Sequence, residues 1–497
     1  MPPMPSALAP PAAHDALDAS ACYAALLARD ARFDGHWFTA VTSTGVYCRP
    51  VCRVRTPLAR NCRFYRHAAA AEAAGFRPCM KCRPELAPGS FTTMDASRSL
   101  AAAARERLDQ AALHGATGLI AGLSRQLGIT ERHLRRIFEA EFGVAPMAYV
   151  QTRRLLTAKQ LLTDTTLSVA QVAQQAGFAS TRTFQQAWGR HYGLAPSKLR
   201  KRSRVDAPGT ATAPARLWLA YRPPLAQADL LAFLAARAVP SVERVDPASG
   251  TVHRSLRWAG RSGSLRVRFD PSQPRLSLAL SPALWDVAAS LLPALRRWLD
   301  LDADPLVIAE HLQALAPVAG LRLPGCLDRF ELAVRAVLGQ QVSVAAARTL
   351  ATRLVERFGE TLPSGERLIE AEPGSVPTLL FPTPEALTRA GAEALAACGM
   401  PAARARTLAQ LAQHWPALRL AEGRGSLEEA EAELLRLPGI GPWTASYILM
   451  RAWPWPDRCL PGDVVLRKQL AARPGLDPER FAPYRSYAVL NLWRQSA

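Results

Sequence analysis

Long apolar runs are missing from this chain: nowhere in its 497 residues do about 18 apolar side chains follow one another, which excludes a membrane-spanning helix. The opening Met-Pro-Pro-Met-Pro stretch lacks a charged segment followed by an apolar core, so no secretory leader is expected and the chain is placed in the cytoplasm. Cysteine is sparse, at 9 residues. A reducing compartment does not sustain a disulfide framework, so cysteines that cluster point to a metal or a reactive thiolate. Low-complexity sequence is scarce as well, and with 49% hydrophobic residues the length suits three or more packed domains.

Acid is the charge in deficit. The 41 Asp and Glu stand against 61 Lys and Arg, a formal charge of +20, which favours a polyanionic partner although it also suits a merely soluble surface. Residues 91–204 are the most basic, with 17 basic and 7 acidic side chains. Three stretches read as joints: the Ala/Pro-rich residues 1–14, Pro84-Glu-Leu-Ala-Pro-Gly-Ser90, and Asp206-Ala-Pro-Gly-Thr-Ala-Thr-Ala-Pro-Ala215.

Cys48-x3-Cys52 and Cys79-x2-Cys82 form two short-range pairs able to close a tetrahedral four-sulfur shell around one Zn²⁺, whether structural or reactive. Their setting, Gly45-Val-Tyr-Cys-Arg-Pro-Val-Cys-Arg-Val-Arg55 and Gly75-Phe-Arg-Pro-Cys-Met-Lys-Cys-Arg-Pro84, resembles the N-terminal domain of the Ada family of adaptive-response regulators. The resemblance implies that Cys48 accepts a methyl group from a DNA methylphosphotriester. Zinc keeps a thiolate deprotonated, and methylating one of four thiolates would take the site from −2 to −1, easing repulsion from DNA. Arg49, Arg53, Arg55 and Arg60 are candidates to hold the DNA backbone; Cys22 and Cys62 receive no role.

Two similar passages follow, Leu119 to Phe138 and Leu167 to Trp188, each a short helix, a turn around Gly and a second helix. They predict tandem helix-turn-helix units with Thr130 and Ser180 as caps. The second passage, continued by Gly193-Leu-Ala-Pro-Ser197, resembles the AraC-type DNA-binding domain. Expected groove-facing residues are Glu131, Arg132, Arg135, Ser180, Thr181, Arg182 and Gln185.

Leu437-Pro-Gly-Ile-Gly-Pro-Trp-Thr-Ala445 reads as a helix-hairpin-helix turn, in which Gly439 and Gly441 let the backbone approach a phosphate. Twenty residues past Trp443, Leu460-Pro-Gly-Asp463 opens a helix, so Asp463 is at least an N-cap. Phe233-Leu-Ala-Ala-Arg-Ala-Val239, Leu321-Arg-Leu-Pro-Gly-Cys326, Arg335-Ala-Val-Leu-Gly-Gln-Gln-Val-Ser343, the hairpin and Tyr484-Arg-Ser-Tyr-Ala488 together resemble the AlkA-type 3-methyladenine DNA glycosylases of the HhH-GPD superfamily.

That resemblance covers residues 216–497 and implies that Asp463 is the catalytic aspartate. It also implies that Trp443, Tyr447 and Trp493 line an aromatic pocket for cationic alkylated bases, and that a monovalent cation sits at the hairpin turn. Trp443 occupies the place of a Schiff-base lysine, implying a monofunctional enzyme. Three positions depart from the pattern: Gln341 replaces the leucine wedge, Gly462 a second aspartate, and Arg494 an aromatic. The Pro-Cys-His-Arg motif of an O6-alkylguanine methyltransferase is absent, as is a late cysteine quartet for an iron–sulfur cluster.

The expected fold class is multidomain α+β, mostly helical. The expected order is a disordered 1–14, a small zinc-binding α/β module at 15–90, an all-α tandem helix-turn-helix at 98–204, and a linker at 205–215. An antiparallel-sheet α+β domain at 216–305 and an all-α helix-hairpin-helix glycosylase domain at 306–497 complete it. The expected function is excision of alkylated bases of the 3-methyladenine and 7-methylguanine type, joined to a transcription activator switched at Cys48. The alternative is a regulator whose last domain binds DNA without catalysis. Expected partners are double-stranded DNA, at damaged sites and a promoter, and RNA polymerase, for a nucleoid-associated bacterial monomer.

Overall fold

A computed structural model of the chain describes residues 17–88, 101, 104–105, 107–109, 112–114, 118–199, 216–368, 376–422, 427–473 and 476–496. The expected tail 1–14 and linker 205–215 lie outside them. Among the described residues no helix is long and apolar enough to cross a membrane.

The first module pairs helix α1 (Ala19–Ala28), capped by Asp18, with a four-stranded sheet of order β3-β1-β2-β4. Strand β1 (Phe38–Val41) runs antiparallel to β2 (Val46–Cys48) and β3 (Cys62–Tyr65), while β4 (Arg77–Pro78) joins β2 in parallel. The register Tyr47 opposite Pro78 leaves Cys48 and Cys79 side by side at the strand ends. Helix α2 (Ala68–Ala73) covers the sheet.

Both expected helix-turn-helix units form. In the first, α3 (Leu119–Leu127) turns at Gly128 into α4 (Glu131–Phe142), whose cap Thr130 accepts the His133 N–H at 3.2 Å. In the second, α6 (Val169–Gln175) and α7 (Thr181–Tyr192) both start on capping boxes, at Ser168 and Ser180. Gly177 turns between them at φ +78°, where an added Cβ would lie 2.1 Å from the Ala112 carbonyl oxygen. Between the units runs α5 (Pro146–Asp164), begun by a proline whose missing N–H costs nothing at that position.

Helix α5 is also the contact with the first module. Lys159, 1% exposed, donates to the Cys79 carbonyl at 3.1 Å and pairs with Glu85 at 2.5 Å, and Arg83 pairs with Glu85 and Asp164. Two cations and two carboxylates thereby neutralise one another out of water, which an isolated buried charge cannot do.

A five-stranded antiparallel sheet follows, order β5-β9-β8-β7-β6: β5 (Leu217–Ala220), β6 (Glu243–Asp246), β7 (Thr251–Trp258), β8 (Arg261–Phe269) and β9 (Arg275–Leu280). Strands β5, β8 and β9 follow the alternation expected from sequence; β6 and β7 were not anticipated, since β7 buries Arg254 among apolar neighbours. Arg254 bonds Glu243 of β6 and Glu331 of α11 (Arg329–Leu338), so its charge is matched partly from outside the sheet. Helices α8 (Gln227–Arg237), α9 (Ala288–Trp298) and α10 (Pro305–His311) lead from the sheet to the all-helical end.

That end contains α12 (Val344–Phe358), α13 (Pro384–Ala396), α14 (Ala402–His414), α15 (Leu427–Leu435), α16 (Pro442–Ala452), α17 (Val464–Ala471) and α18 (Arg485–Arg494). Asp300 fixes α18 against the sheet domain: its Oδ2 accepts the Leu323 N–H and the Tyr487 hydroxyl, each at 2.8 Å. Burial pushes the Asp300 carboxyl up to about 6. Folding then favours the protonated acid, a contribution present below pH about 4 and lost as pH rises through about 6. Asn at position 300 keeps an acceptor without the charge. Comparing Asp300→Asn with wild type by chemical denaturation from pH 4 to 7.5, we expect the variant to gain roughly 3 kcal/mol relative to wild type across that range. A pH-independent difference would refute the assignment.

Candidate functional site

The hairpin is built by one indispensable glycine. Gly439 adopts φ +87°, and a Cβ there would lie 2.0 Å from Thr407 Oγ1 on α14. Gly441 is different: it caps α16 at φ −95°, and an added Cβ would meet nothing within 4 Å. Its small size serves no packing need inside the protein and leaves the α16 N-terminus open to an approaching phosphate.

Helix α16 sets Trp443 and Tyr447 one turn apart, their rings parallel within 5° at 5.2 Å. Trp493, from the last turn of α18, stands 6.3 Å from Tyr447 at 41°. Asp463 caps α17, donating no proton and accepting three: the Leu466 N–H at 2.8 Å and the Trp493 Nε1–H at 3.1 Å on Oδ1, and the Trp443 Nε1–H at 2.9 Å on Oδ2. Helix cap and buried carboxylate of an aromatic cluster are thus one residue, 7% exposed. The preceding Gly462 takes φ +74°, a conformation an aspartate adopts at a cost.

Gln341 lies exposed between α11 and α12 at φ +54°. Val342 and Val344 beside it are exposed too. The loop is tied to the hairpin by Gln340, whose Nε2 donates to the Gly439 carbonyl at 2.8 Å and to Thr444 Oγ1 at 3.0 Å, while Arg404 donates to the Gln340 carbonyl at 2.5 Å. Sequence reasoning missed Gln340 and Arg404 as a brace. It also missed Arg451, which donates to the Tyr447 hydroxyl at 2.9 Å; its position one turn beyond Tyr447 on the same helix face was the available signal. Arg494 pairs with Asp229 at 2.5 Å.

In the first module the four cysteines converge, every Sγ within 4.8 Å of the others. That spacing and the all-sulfur donor set fit a tetrahedral zinc site. Cys48, Cys52 and Cys79 line a cavity of about 630 Å³ together with Arg55; Cys82 does not line it. Cys82 Sγ instead accepts the Arg49 backbone N–H at 3.3 Å. Arg49, expected at the DNA backbone, is turned inward: it is 7% exposed, bonds the Asp34 carboxylate through two nitrogens and donates to the Cys82 carbonyl at 3.1 Å. Burial of Asp34 holds it there, because a buried carboxylate needs a cation. Arg53, Arg55 and Arg60 remain exposed.

The helix-turn-helix candidates sit as a set on α4 and α7. Arg132, Arg135, Arg182 and Gln185 are exposed and Thr181 and Glu131 half-buried, with Glu131 paired to Arg135 at 3.0 Å.

Four family models match the chain: the metal binding domain of Ada over residues 21–85, a helix-turn-helix domain over 123–202, the AlkA N-terminal domain over 216–328, and the HhH-GPD superfamily base excision DNA repair protein over 334–490. A probable bifunctional transcriptional activator/DNA repair enzyme AlkA from Mycobacterium tuberculosis is 38% identical, over 97% of this chain and 96% of that protein. DNA-3-methyladenine glycosylase 2 of Escherichia coli is 39% identical, over 55% of this chain and 95% of that protein. The bifunctional transcriptional activator/DNA repair enzyme Ada of Escherichia coli is 32% identical, over 35% of this chain and 47% of that protein.

The two hairpin glycines should separate on substitution. Gly439→Ala meets Thr407 and a left-handed backbone, so we expect a thermal transition lowered by several degrees. Gly441→Ala should leave the transition within about a degree of wild type and weaken duplex affinity alone. Equal melting curves for the two variants would contradict this geometry.

Proposed function

The chain belongs to the family of bifunctional transcriptional activator/DNA repair AlkA proteins, and on that premise we propose that its helical end excises alkylated bases by hydrolysis with Asp463 as the catalytic carboxylate. DNA repair and transcription regulation are combined in one polypeptide. The observation that carries the catalytic assignment is the Asp463 carboxylate, with one indole N–H on each oxygen, against the aromatic cluster beside a hairpin.

Cleaving an N-glycosidic bond builds positive charge on the deoxyribose. A fixed carboxylate opposes that charge without reorganising, and can orient the attacking water. The two tryptophans then have a double part: their faces bound the pocket, and their N–H groups hold the carboxylate in one rotamer. Alkylation of a ring nitrogen makes the base a cation and a better leaving group, and aromatic faces favour a cation over a neutral base. Gln341, exposed on the loop between α11 and α12, would fill the gap an everted base leaves. A monovalent cation at the hairpin turn belongs to the same reading, as does monofunctional hydrolysis.

For the first module we propose methyl transfer to Cys48. Zinc, when bound, keeps the cysteine sulfurs deprotonated and nucleophilic at neutral pH. Of the four, Cys82 lies outside the cavity and carries the Arg49 N–H. Cys48 opens onto the cavity, and its sulfur would form a bond to the methyl carbon as the phosphate oxygen leaves with the bonding electrons. Arg53, Arg55 and Arg60 would hold the phosphates, Arg132, Arg135, Thr181, Arg182 and Gln185 would read the promoter, and RNA polymerase is the partner activation requires.

Asp463→Asn should cut release of free 3-methyladenine from methylated DNA by at least about a hundredfold with folding preserved; undiminished release would remove Asp463 from the chemistry, and no release by wild type would leave a DNA-binding regulator. Trp493→Phe keeps an aromatic face, though a smaller one, but loses the N–H to Asp463, so a fall of about ten- to a hundredfold in the single-turnover rate is expected with duplex affinity near wild type. After incubation with methylated DNA, mass spectrometry of the Cys48 peptide should show one added methyl group; the label on Cys52 or Cys79 instead would reassign the acceptor.

A further inference from the structure

A buried positive charge against the aromatic cluster has no carboxylate paired with it among the described residues. Arg451 is 9% exposed and spends its nitrogens on uncharged acceptors: Nε on the Pro324 carbonyl at 2.9 Å, NH2 on the Gly325 carbonyl at 3.2 Å, and NH1 on the Tyr447 hydroxyl at 2.9 Å. Its guanidinium lies 5.0 Å from the centre of the Phe233 ring and 5.7 Å from that of Tyr447. Arg237 of α8 lies over the same Phe233 ring at 3.7 Å and bonds the Phe233 carbonyl. Among the described residues neither arginine makes an ion pair with an acid.

Such an arrangement is unexpected around a pocket for cationic bases, because two guanidiniums repel the ligand. The remaining charges do not resolve the conflict. Arg335 of α11 also faces Tyr447, but it is matched by Glu331 at 2.7 Å. Asp463 of α17 belongs to the reacting side, where both indoles hold it. The group left to supply negative charge among these residues is the Tyr447 phenol itself, on which Arg451 and Arg237 converge.

We propose that Tyr447 is the residue through which this pocket selects for positive charge on the base, and that Arg451 is the positioning residue that makes it do so by stabilising the Tyr447 phenolate. The inference rests on the glycosylase reading given above. Loss of the phenol proton to solvent converts the ring wall from a neutral face into an anion with a richer π face. A base with a fixed charge gains from that change and a neutral base does not. The direction of the phenol agrees: although burial opposes ionisation, Arg451 first and Arg237 next bring it down to about 8. One unit charge about 6 Å away, at an effective dielectric constant of about 40, corresponds to roughly tenfold in preference.

The test uses the full-length protein and duplexes carrying either 3-methyladenine, a fixed cation, or 1,N6-ethenoadenine, neutral throughout, from pH 6.5 to 9. The cation-to-neutral ratio of single-turnover efficiencies should rise about tenfold with a midpoint near pH 8 in wild type. It should stay flat in Tyr447→Phe and in Arg451→Gln, and Arg451→Lys should restore part of the rise. Since Arg451 also braces the Pro324 turn, a second readout needs no Arg451 variant: the wild-type absorbance change at 295 nm, minus that of Tyr447→Phe, should titrate near pH 8. A flat wild-type ratio, a rise that survives in Tyr447→Phe, or no phenolate signal below pH 9 would overturn the proposal. Release of neither base would sink the glycosylase reading, and the same ratio taken from duplex affinities would then decide the role of Tyr447.

Discussion

Three N–H groups meet on the two oxygens of Asp463, and they come from α16, α17 and α18. A buried carboxylate must be satisfied in this way or be neutralised, so placing that one charge fixes how three helices sit relative to one another. The hairpin, the aromatic stack and the C-terminal helix share a single geometry as a result. Bracing continues outward: Gln340 ties the strained Gln341 loop to the hairpin carbonyl, and Asp300 ties α18 to the sheet domain. A pocket held at this many points presents its proposed catalytic group preorganised, which is where most of the rate advantage of such sites resides.

A second set of buried charges performs the same service between modules. Helix α5 carries Lys159 and Asp164 to the first module, where Glu85 and Arg83 complete a neutral quartet. Arg222, with none of its surface exposed, reaches from the sheet domain to the carbonyls of Asp34, Pro88 and Asp302. Asp34 in turn holds Arg49, whose N–H rests on Cys82. A continuous line of hydrogen bonds therefore runs from a zinc-ligand sulfur to the sheet that supports the glycosylase pocket.

What could be read from the sequence divides along physical lines. The cysteine quartet was legible because metal ligation demands particular residues at short spacing, and Thr130 and Ser180 because capping is local. Strands β5, β8 and β9 showed their alternation; β7 hid behind Arg254, whose partner Glu331 lies 77 residues further on. Arg49 could not be read correctly, since nothing local tells whether an arginine beside a ligand cysteine faces DNA or an aspartate fifteen residues back. Asp463 was legible as a helix cap because capping is local, whereas its bonds from Trp443 and Trp493, 20 and 30 residues away, come only with the fold. Arg451 and Gln340 were visible as letters in helical register but acquire a role only through the groups they touch.

Buried Arg222 donates to the backbone carbonyls of Asp34, Pro88 and Asp302, and carbonyl dipoles do not attract counterions. Dissolved electrolyte therefore has little hold on these bonds, whereas contacts of exposed Arg53, Arg55, Arg132 and Arg182 with phosphates would weaken steeply as salt rises. Ionic strength thus acts on one set of contacts and spares the other. As it increases, phosphate contacts of the exposed arginines would weaken first, while the Arg222 bonds between the first module and the sheet domain would persist.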